Sequence, residues 1–145
     1  GGLFTETVHS ESKLDYMVFP RFFTLVERAW APKKAYESEE SFATSLFEMD
    51  YTQFLNRIAT VDLPKLKQSF EFRLPTVGIK LDNGVIRANT EYPNFAVYYT
   101  TDGTIPTLKS DKYDANNGVK LTAGAKYVFA VIDTLGRVGQ LTYFN

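Results

Sequence analysis

Cysteine is absent from this 145-residue chain, and histidine occurs only once, as His9. The absence of cysteine excludes disulfides, thiolate nucleophiles and cysteine-based zinc sites. Most zinc sites and any Ser-His-Asp triad would have to use His9, but its neighbours offer no second histidine and no ligand spacing. We therefore expect His9 to be an ordinary side chain in a loop or at a helix edge.

The chain also lacks a surplus of charge and a long apolar run. Sixteen Lys+Arg against seventeen Asp+Glu give a net charge of −1. No basic excess exists to neutralise phosphates, so nucleic acid is not an expected partner. No stretch approaches ~18 consecutive apolar residues, and no signal peptide is recognisable, so we predict no membrane span. The first residue is Gly1 and not Met, and we expect a processed chain or a piece of a larger protein.

The first half has the residue spacing of helices. Apolar residues recur at i, i+3, i+4 and i+7 along one helical face; they are Phe22, Leu25, Val26 and Ala29. A second helix is predicted over about residues 41–60, and a short third helix over about 62–69 with Asp62 as its N-cap. The segment 16–30 is apolar on more than one face, which is typical of a helix buried against a larger body.

From about residue 72 the pattern changes to short strands separated by turns. Asn83-Gly84 lies between two apolar runs and is a strong hairpin signal, because both positions tolerate positive φ. No connecting helix is predicted, so an all-β sandwich is favoured over a parallel arrangement. The predicted strands cover about residues 77–81, 85–89, 95–100, 119–122, 125–133 and 140–144.

Carboxylates are plentiful, but they form no recognisable catalytic pair. Glu37, Glu39 and Glu40 precede a predicted helix, where acidic side chains are favoured by the helix dipole, and we interpret them as a solvated helix start. An Asp-Glu dipeptide, which would place an orienting carboxylate beside a general acid, occurs nowhere. A glycine-rich phosphate loop is also absent. The residues by themselves therefore indicate no catalytic group, no cofactor and no metal.

Aromatic residues make up 15% of the chain, and their exposure separates two hypotheses for the second half. A row of two or three exposed tyrosines on one sheet would stack on sugar rings and favour a carbohydrate-binding or protein-interaction module without catalytic activity. Burial of the same rings would favour a structural domain. The tyrosines concerned are Tyr92, Tyr98, Tyr99, Tyr113, Tyr127 and Tyr143.

Two sets of motifs resemble one known family. The first half contains LFTET at residues 3–7, LDYMVFPR at 14–21 and VERAW at 26–30. These resemble the end of the catalytic (β/α)8 barrel in the chitobiase-type β-N-acetylhexosaminidases of glycoside hydrolase family 20. The second half contains FRLP at 72–75 and YYTTDGTIPT at 98–107, which resemble the C-terminal immunoglobulin-like domain of the same enzymes.

This resemblance implies an α+β fold class in two parts. Residues 1–70 would be the helical remnant of a (β/α)8 barrel end, and residues 71–145 an all-β immunoglobulin-like sandwich. Arg21 and Glu27, in the family-like helix motif, would have a structural role, as a charge-assisted pair or as a helix-to-loop anchor. The apolar helix around Pro20 would pack against the rest of the catalytic domain, or drive self-association when exposed.

The resemblance also implies a chemistry for the longer protein, here called the parent. It would hydrolyse terminal N-acetylhexosamine from chitooligosaccharides or related glycans without a cofactor, with the substrate's acetamido oxygen as nucleophile, an Asp that orients it and an adjacent Glu as general acid. Because that Asp-Glu pair is missing here, we expect this chain alone to be inactive and its second half to be structural.

Two residues of the substrate site are implied by the motif match. Glu6 corresponds to a carboxylate that accepts hydrogen bonds from sugar hydroxyls, and Phe4 stands where the family usually has a Trp that lines the sugar pocket. The expected location of such a parent is periplasmic, attached to the outer membrane, or secreted.

Overall fold

The computed structural model describes residue 6 and residues 8–34, 36–37, 44–66, 71–93 and 95–145. The chain divides into two compact units, Gly1–Arg73 and Leu74–Asn145. Helices form the first unit and antiparallel sheets form the second. The predicted α+β fold class in two parts is therefore confirmed at this level.

Helices in the first unit are short and follow one another closely. Ser10 caps the first helix, because its hydroxyl accepts a hydrogen bond from the Lys13 N–H at 3.2 Å. The apolar segment predicted as one helix is two helices, separated at the cis Phe19–Pro20 peptide bond. The elements are α1 Glu11–Val18, α2 Phe22–Trp30, α3 Thr44–Arg57, a π-helical turn Ile58–Asp62 and α4 Leu63–Leu66.

The prediction that Asp62 caps a third helix is wrong. Asp62 ends the π-helical turn, which runs without a break into α4, and the Leu63 N–H donates to the Ile58 carbonyl. With both neighbours helical, Asp62 has no extended backbone from which to cap. Instead, the Asp62 Oδ2 atom forms an ion pair with the Arg57 Nε atom, 3.6 Å away. Residues 67–70 of the predicted helix lie outside the described part of the chain.

Burial in the first unit is uneven. Phe54, Ile58 and Leu63 are buried on α3, the π-helical turn and α4. In contrast, α1 and α2 bury no residue, and Trp30 is 82% exposed. Since α2 carries large apolar side chains over most of its length, the first unit leaves an apolar surface uncovered.

In residues 74–93 and 95–145 of the second unit, seven strands form two antiparallel sheets. One sheet has three strands in the order β1-β2-β5, and the other has four in the order β4-β3-β6-β7. β6 is central in the larger sheet and is buried along its whole length. The strands are β1 Val77–Asp82, β2 Val85–Thr90, β3 Val97–Thr100, β4 Asp111–Lys112, β5 Val119–Lys120, β6 Tyr127–Val131 and β7 Thr142–Phe144.

The β1–β2 hairpin confirms the strongest local prediction. Asn83 and Gly84 both have positive φ, 49° and 76°, as a type I′ turn requires. Asp82 and Val85 pair directly across the turn. This two-residue turn fixes the register, so that Ile86 faces the core and is fully buried.

Hydroxyl groups of the larger sheet bind backbone groups of the smaller one. The Tyr127 hydroxyl, on β6, donates to the Lys120 carbonyl at 3.0 Å. The Thr142 hydroxyl, on β7, donates to the Val77 carbonyl at 2.8 Å. These directional bonds connect β5 and β1 to the opposite sheet.

Candidate functional site

The two residues assigned to substrate binding by resemblance are not brought into a site by the described structure. Glu6 is exposed, and no described side chain makes a hydrogen bond or an ion pair with its carboxylate. Phe4 lies outside the described residues. Both assignments therefore remain predictions.

The described ranges contain no candidate metal cluster and no membrane-spanning helix. His9 is exposed. Within those ranges, no three His, Cys, Asp or Glu side chains are grouped closely enough to hold a metal ion. Across the same ranges, no helix has both the length and the apolar character needed to cross a bilayer.

An ion-pair cluster joins the loop after α2 to α3. Asp50 binds two partners of the loop: the Lys34 ammonium at 3.0 Å and the Tyr36 hydroxyl, which donates at 3.0 Å. Glu37 forms an ion pair with Arg28 of α2. Glu37 is thus not the solvated helix-start residue that we predicted, because the loop turns back and brings its carboxylate to Arg28. Glu39 and Glu40 lie outside the described residues.

Charge partners determine how these carboxylates titrate. The hydrogen bond from Lys34 holds the pKa of Asp50 below its usual value, and Tyr36 adds to this effect. Arg28 does the same for the pKa of Glu37. A general acid needs a raised pKa so that it is protonated at working pH. Asp50 and Glu37 are therefore poised as ionised acceptors and not as proton donors.

A cavity of about 150 Å³ lies next to the cluster. Its apolar wall is formed by stacked rings of α3, with Phe47 and Tyr51 centroids 5.8 Å apart and Tyr51 and Phe54 centroids 6.5 Å apart. At its rim, Glu27 forms an ion pair with Arg57, with Oε2 and Nη2 2.7 Å apart. The hydrogen bond in this pair raises the pKa of Arg57. The pair agrees with the structural role predicted for Glu27. Since the charged groups at the rim are paired with each other, this arrangement fastens the helices together.

We expect Asp50→Asn to lower the free energy of unfolding of the first unit at neutral pH. We also expect this free energy to depend less on pH in the acid range. The folded pKa of Asp50 is lowered, so its stabilising contribution is complete above about pH 4, the range of a free aspartate, and is lost as the pH falls through the folded pKa. Thermal unfolding followed by helical circular dichroism between pH 7 and pH 2 measures the effect.

Glu48→Gln is the matched control, because it removes one negative charge from an exposed position of the same helix. It should leave the acid limb of the stability curve unchanged. Identical pH profiles for Asp50→Asn and the original chain would show that the cluster does not contribute to stability.

The tyrosines of the second unit do not form a flat exposed row. Tyr92 and Tyr127 are buried, and Tyr99 stacks on Phe129 with ring centroids 5.4 Å apart. Burial raises the pKa of Tyr99. In residues 71–93 and 95–145, only Tyr143 has a mostly exposed ring, at 63%. The row that would favour a sugar-stacking module is therefore not present in these ranges.

An open groove of about 490 Å³ lies instead between the end of β2 and the β3–β4 edge. Tyr113 is one of its lining residues. Its hydroxyl accepts a hydrogen bond from the Ala88 N–H at 2.9 Å, and its ring packs edge-on against Phe129. The groove could not be predicted from the sequence, because β4 has only two residues and both are polar. The described lining includes Ala88, Thr90, Phe95, Val97, Lys112 and Tyr113.

Comparison with known proteins defines the class. Residues 62–131 match the Chitobiase/beta-hexosaminidase C-terminal domain. The chain is 32% identical to N,N'-diacetylchitobiase of Vibrio harveyi, an alignment that covers 97% of this chain and 16% of the relative. It is 27% identical to Beta-hexosaminidase of Vibrio vulnificus, over 97% of this chain and 18% of the relative.

The match to this C-terminal domain therefore begins in the first unit and lies mostly in the second. Together, the domain match and the two alignments support a C-terminal part of a hexosaminidase of the glycoside hydrolase family 20 type. The chain spans less than a fifth of the length of these two relatives.

Proposed function

We propose that the chain is the C-terminal part of a parent hexosaminidase. This parent removes terminal N-acetylhexosamine from chitooligosaccharides or related glycans by substrate-assisted, retaining catalysis. The observation that carries this proposal is the similarity to N,N'-diacetylchitobiase over 97% of the chain. The motifs of both halves, in the same order as in the family, are part of this similarity. The second unit then has a structural role.

The chain alone is inactive in this proposal. Retaining hydrolysis by this route needs a general acid beside an orienting carboxylate, and the sequence has no Asp-Glu dipeptide. The carboxylates of the ion-pair cluster do not replace it, since cationic partners lower the pKa of Asp50 and of Glu37.

The first unit is, in this proposal, the helical end of the catalytic (β/α)8 barrel. The uncovered face of α2 supports it, with Leu25 57% exposed and Trp30 82% exposed. Large apolar side chains on one surface favour a protein partner, and the rest of the parent catalytic domain is the partner that we propose. In the isolated chain the same face would drive self-association.

Glu6 and Phe4 contribute to the sugar subsite in this proposal. Barrel enzymes place binding groups at the carboxyl ends of their strands, and the motif at residues 3–7 corresponds to such an end. Glu6 would accept hydrogen bonds from sugar hydroxyls, and Phe4 would offer an apolar ring without an indole donor.

A hydrolysis assay tests the proposal. The purified 145-residue chain and the parent are each incubated with a chromogenic N-acetylglucosaminide. We expect release of the chromophore by the parent and none by the chain. Turnover by the chain itself would overturn the assignment of catalysis to missing residues, and an inactive but folded parent would overturn the assignment of activity.

A further inference from the structure

We propose that the groove between β2 and the β3–β4 edge is an accessory binding site for an N-acetylated sugar chain, separate from any catalytic centre. This inference rests on the proposed function for the class of ligand. Its location rests on the geometry of the groove. The ligand would be a neutral chain of N-acetylhexosamine units.

The size and charge of the groove fit a neutral ligand of one or two sugar rings. A volume of about 490 Å³ lies within the range of roughly 300–1,000 Å³ that is usual for small-molecule sites. Lys112 supplies the one charged side chain in the described lining. A single exposed ammonium is too little positive charge to select a phosphate-bearing polymer.

Tyr113, one of the lining residues, supplies a hydrogen-bond donor to the groove. Its oxygen accepts the Ala88 N–H at 2.9 Å, so one lone pair is used and the orientation of the ring is fixed. A phenol also has one proton to donate, and in the described ranges no protein acceptor takes it. An acetamido carbonyl is an acceptor of suitable strength, and an N-acetylated sugar carries one on every ring.

Phe95 and Val97 supply the apolar surface that such a ligand needs. The Phe95 ring is partly exposed and is held edge-on against Tyr92, with centroids 6.4 Å apart. A flat aromatic ring packs against the C–H face of a pyranose. Val97, another lining residue, is 7% exposed and would contact the acetamido methyl group.

An added peptide strand fits the groove less well. Strand addition needs free backbone donors and acceptors on the part of β2 that extends beyond its pairing with β5, which ends at Ile86. The Ala88 N–H is already bound to Tyr113. At the end of the strand, the Thr90 hydroxyl donates to the Tyr92 carbonyl and turns the chain away from an extended path. These two bonds leave fewer free backbone groups with which a peptide strand could pair.

Titration followed by amide NMR on the whole 145-residue chain tests this site. The probe is N,N′,N″-triacetylchitotriose, called chitotriose below. The reference sugar is cellotriose, which has hydroxyls in place of the acetamido groups. We expect saturable shifts of the Ala88, Thr90 and Tyr113 amides below about 10 mM chitotriose, and at least fivefold weaker binding of cellotriose, the difference of about one hydrogen bond.

Two groove variants and one matched control accompany the titration. Tyr113→Phe keeps the ring and removes the donor, and Phe95→Leu keeps the apolar volume and removes the flat face. Each should weaken chitotriose binding by about fivefold. Tyr143→Phe removes a hydroxyl from the exposed ring on β7 and should leave binding unchanged. The spectrum of each free variant shows whether it is folded, and Phe95→Leu leaves the bond between Tyr113 and Ala88 in place.

Three outcomes would overturn the inference. The first is the absence of shifts at the groove amides with about 10 mM chitotriose. The second is equal binding of chitotriose and cellotriose. The third is a set of shifts caused only by an extended neutral peptide, which would assign the groove to strand addition. None of them bears on hydrolysis by the parent, so a failure here is distinguishable from a failure of the proposed function.

Discussion

Phe129→Ala is expected to unfold the second unit near physiological temperature. Phe129 lies at the centre of β6, is fully buried, and its ring contacts Tyr99 and Tyr113. Truncation of a buried phenylalanine costs about 3–5 kcal/mol, which is a large part of the stability of a small domain. For a unit of this size the melting temperature should fall by roughly 15–30 °C.

Thermal unfolding followed by near-ultraviolet circular dichroism measures this effect, because tyrosines of the second unit surround the removed ring. Tyr143→Ala is the control: it removes an aromatic ring that is 63% exposed and should change stability by no more than about 0.5 kcal/mol. A fall of less than about 5 °C for Phe129→Ala would contradict the central position of this ring.

In the parent, Glu6→Gln is expected to lower kcat/KM for a chromogenic N-acetylglucosaminide by roughly 10²-fold. In the proposed subsite the carboxylate accepts hydrogen bonds from sugar hydroxyls. Charge-assisted bonds contribute about 1.5–3 kcal/mol each, and a neutral amide loses much of that contribution. Steady-state kinetics separate a loss in KM from a loss in kcat.

Glu11→Gln is the matched control, since Glu11 is an exposed glutamate in the first turn of α1. It should leave kcat/KM unchanged. If both substitutions changed kcat/KM by less than about twofold, a difference of roughly 0.4 kcal/mol, Glu6 would have no role in the subsite.

Local signals in the sequence were sufficient for much of the fold. Asn83-Gly84 located the first hairpin because few dipeptides favour two successive positive φ values. Helical spacing located α2 because its apolar side chains recur on one face. In contrast, the sequence did not reveal β4, whose two residues Asp111 and Lys112 are held only by pairing with β3. The π-helical turn after Arg57 was hidden for a similar reason, since it continues a helical pattern without a signal of its own.

The candidate sites were less predictable, because they depend on contacts between distant residues. Lys34 and Asp50 are sixteen positions apart, and no spacing rule relates a loop lysine to a carboxylate on the next helix. Tyr113 was one of six tyrosines in the second half, and the sequence did not indicate which of them would line a binding site. The residues of its bond to Ala88 are twenty-five positions apart. The family resemblance identified Glu6 and Phe4, but periodicity and composition carry no information on either of them.

The hydroxyl bonds between the two sheets have a mechanical consequence. Apolar packing resists separation of two layers but offers little resistance to sliding, because it has no preferred direction. Bonds from Tyr113, Tyr127 and Thr142 reach all three strands of the smaller sheet and must break before either layer can shear past the other. We therefore expect these three bonds to make the second unit stiffer against shear between its sheets than apolar packing alone would.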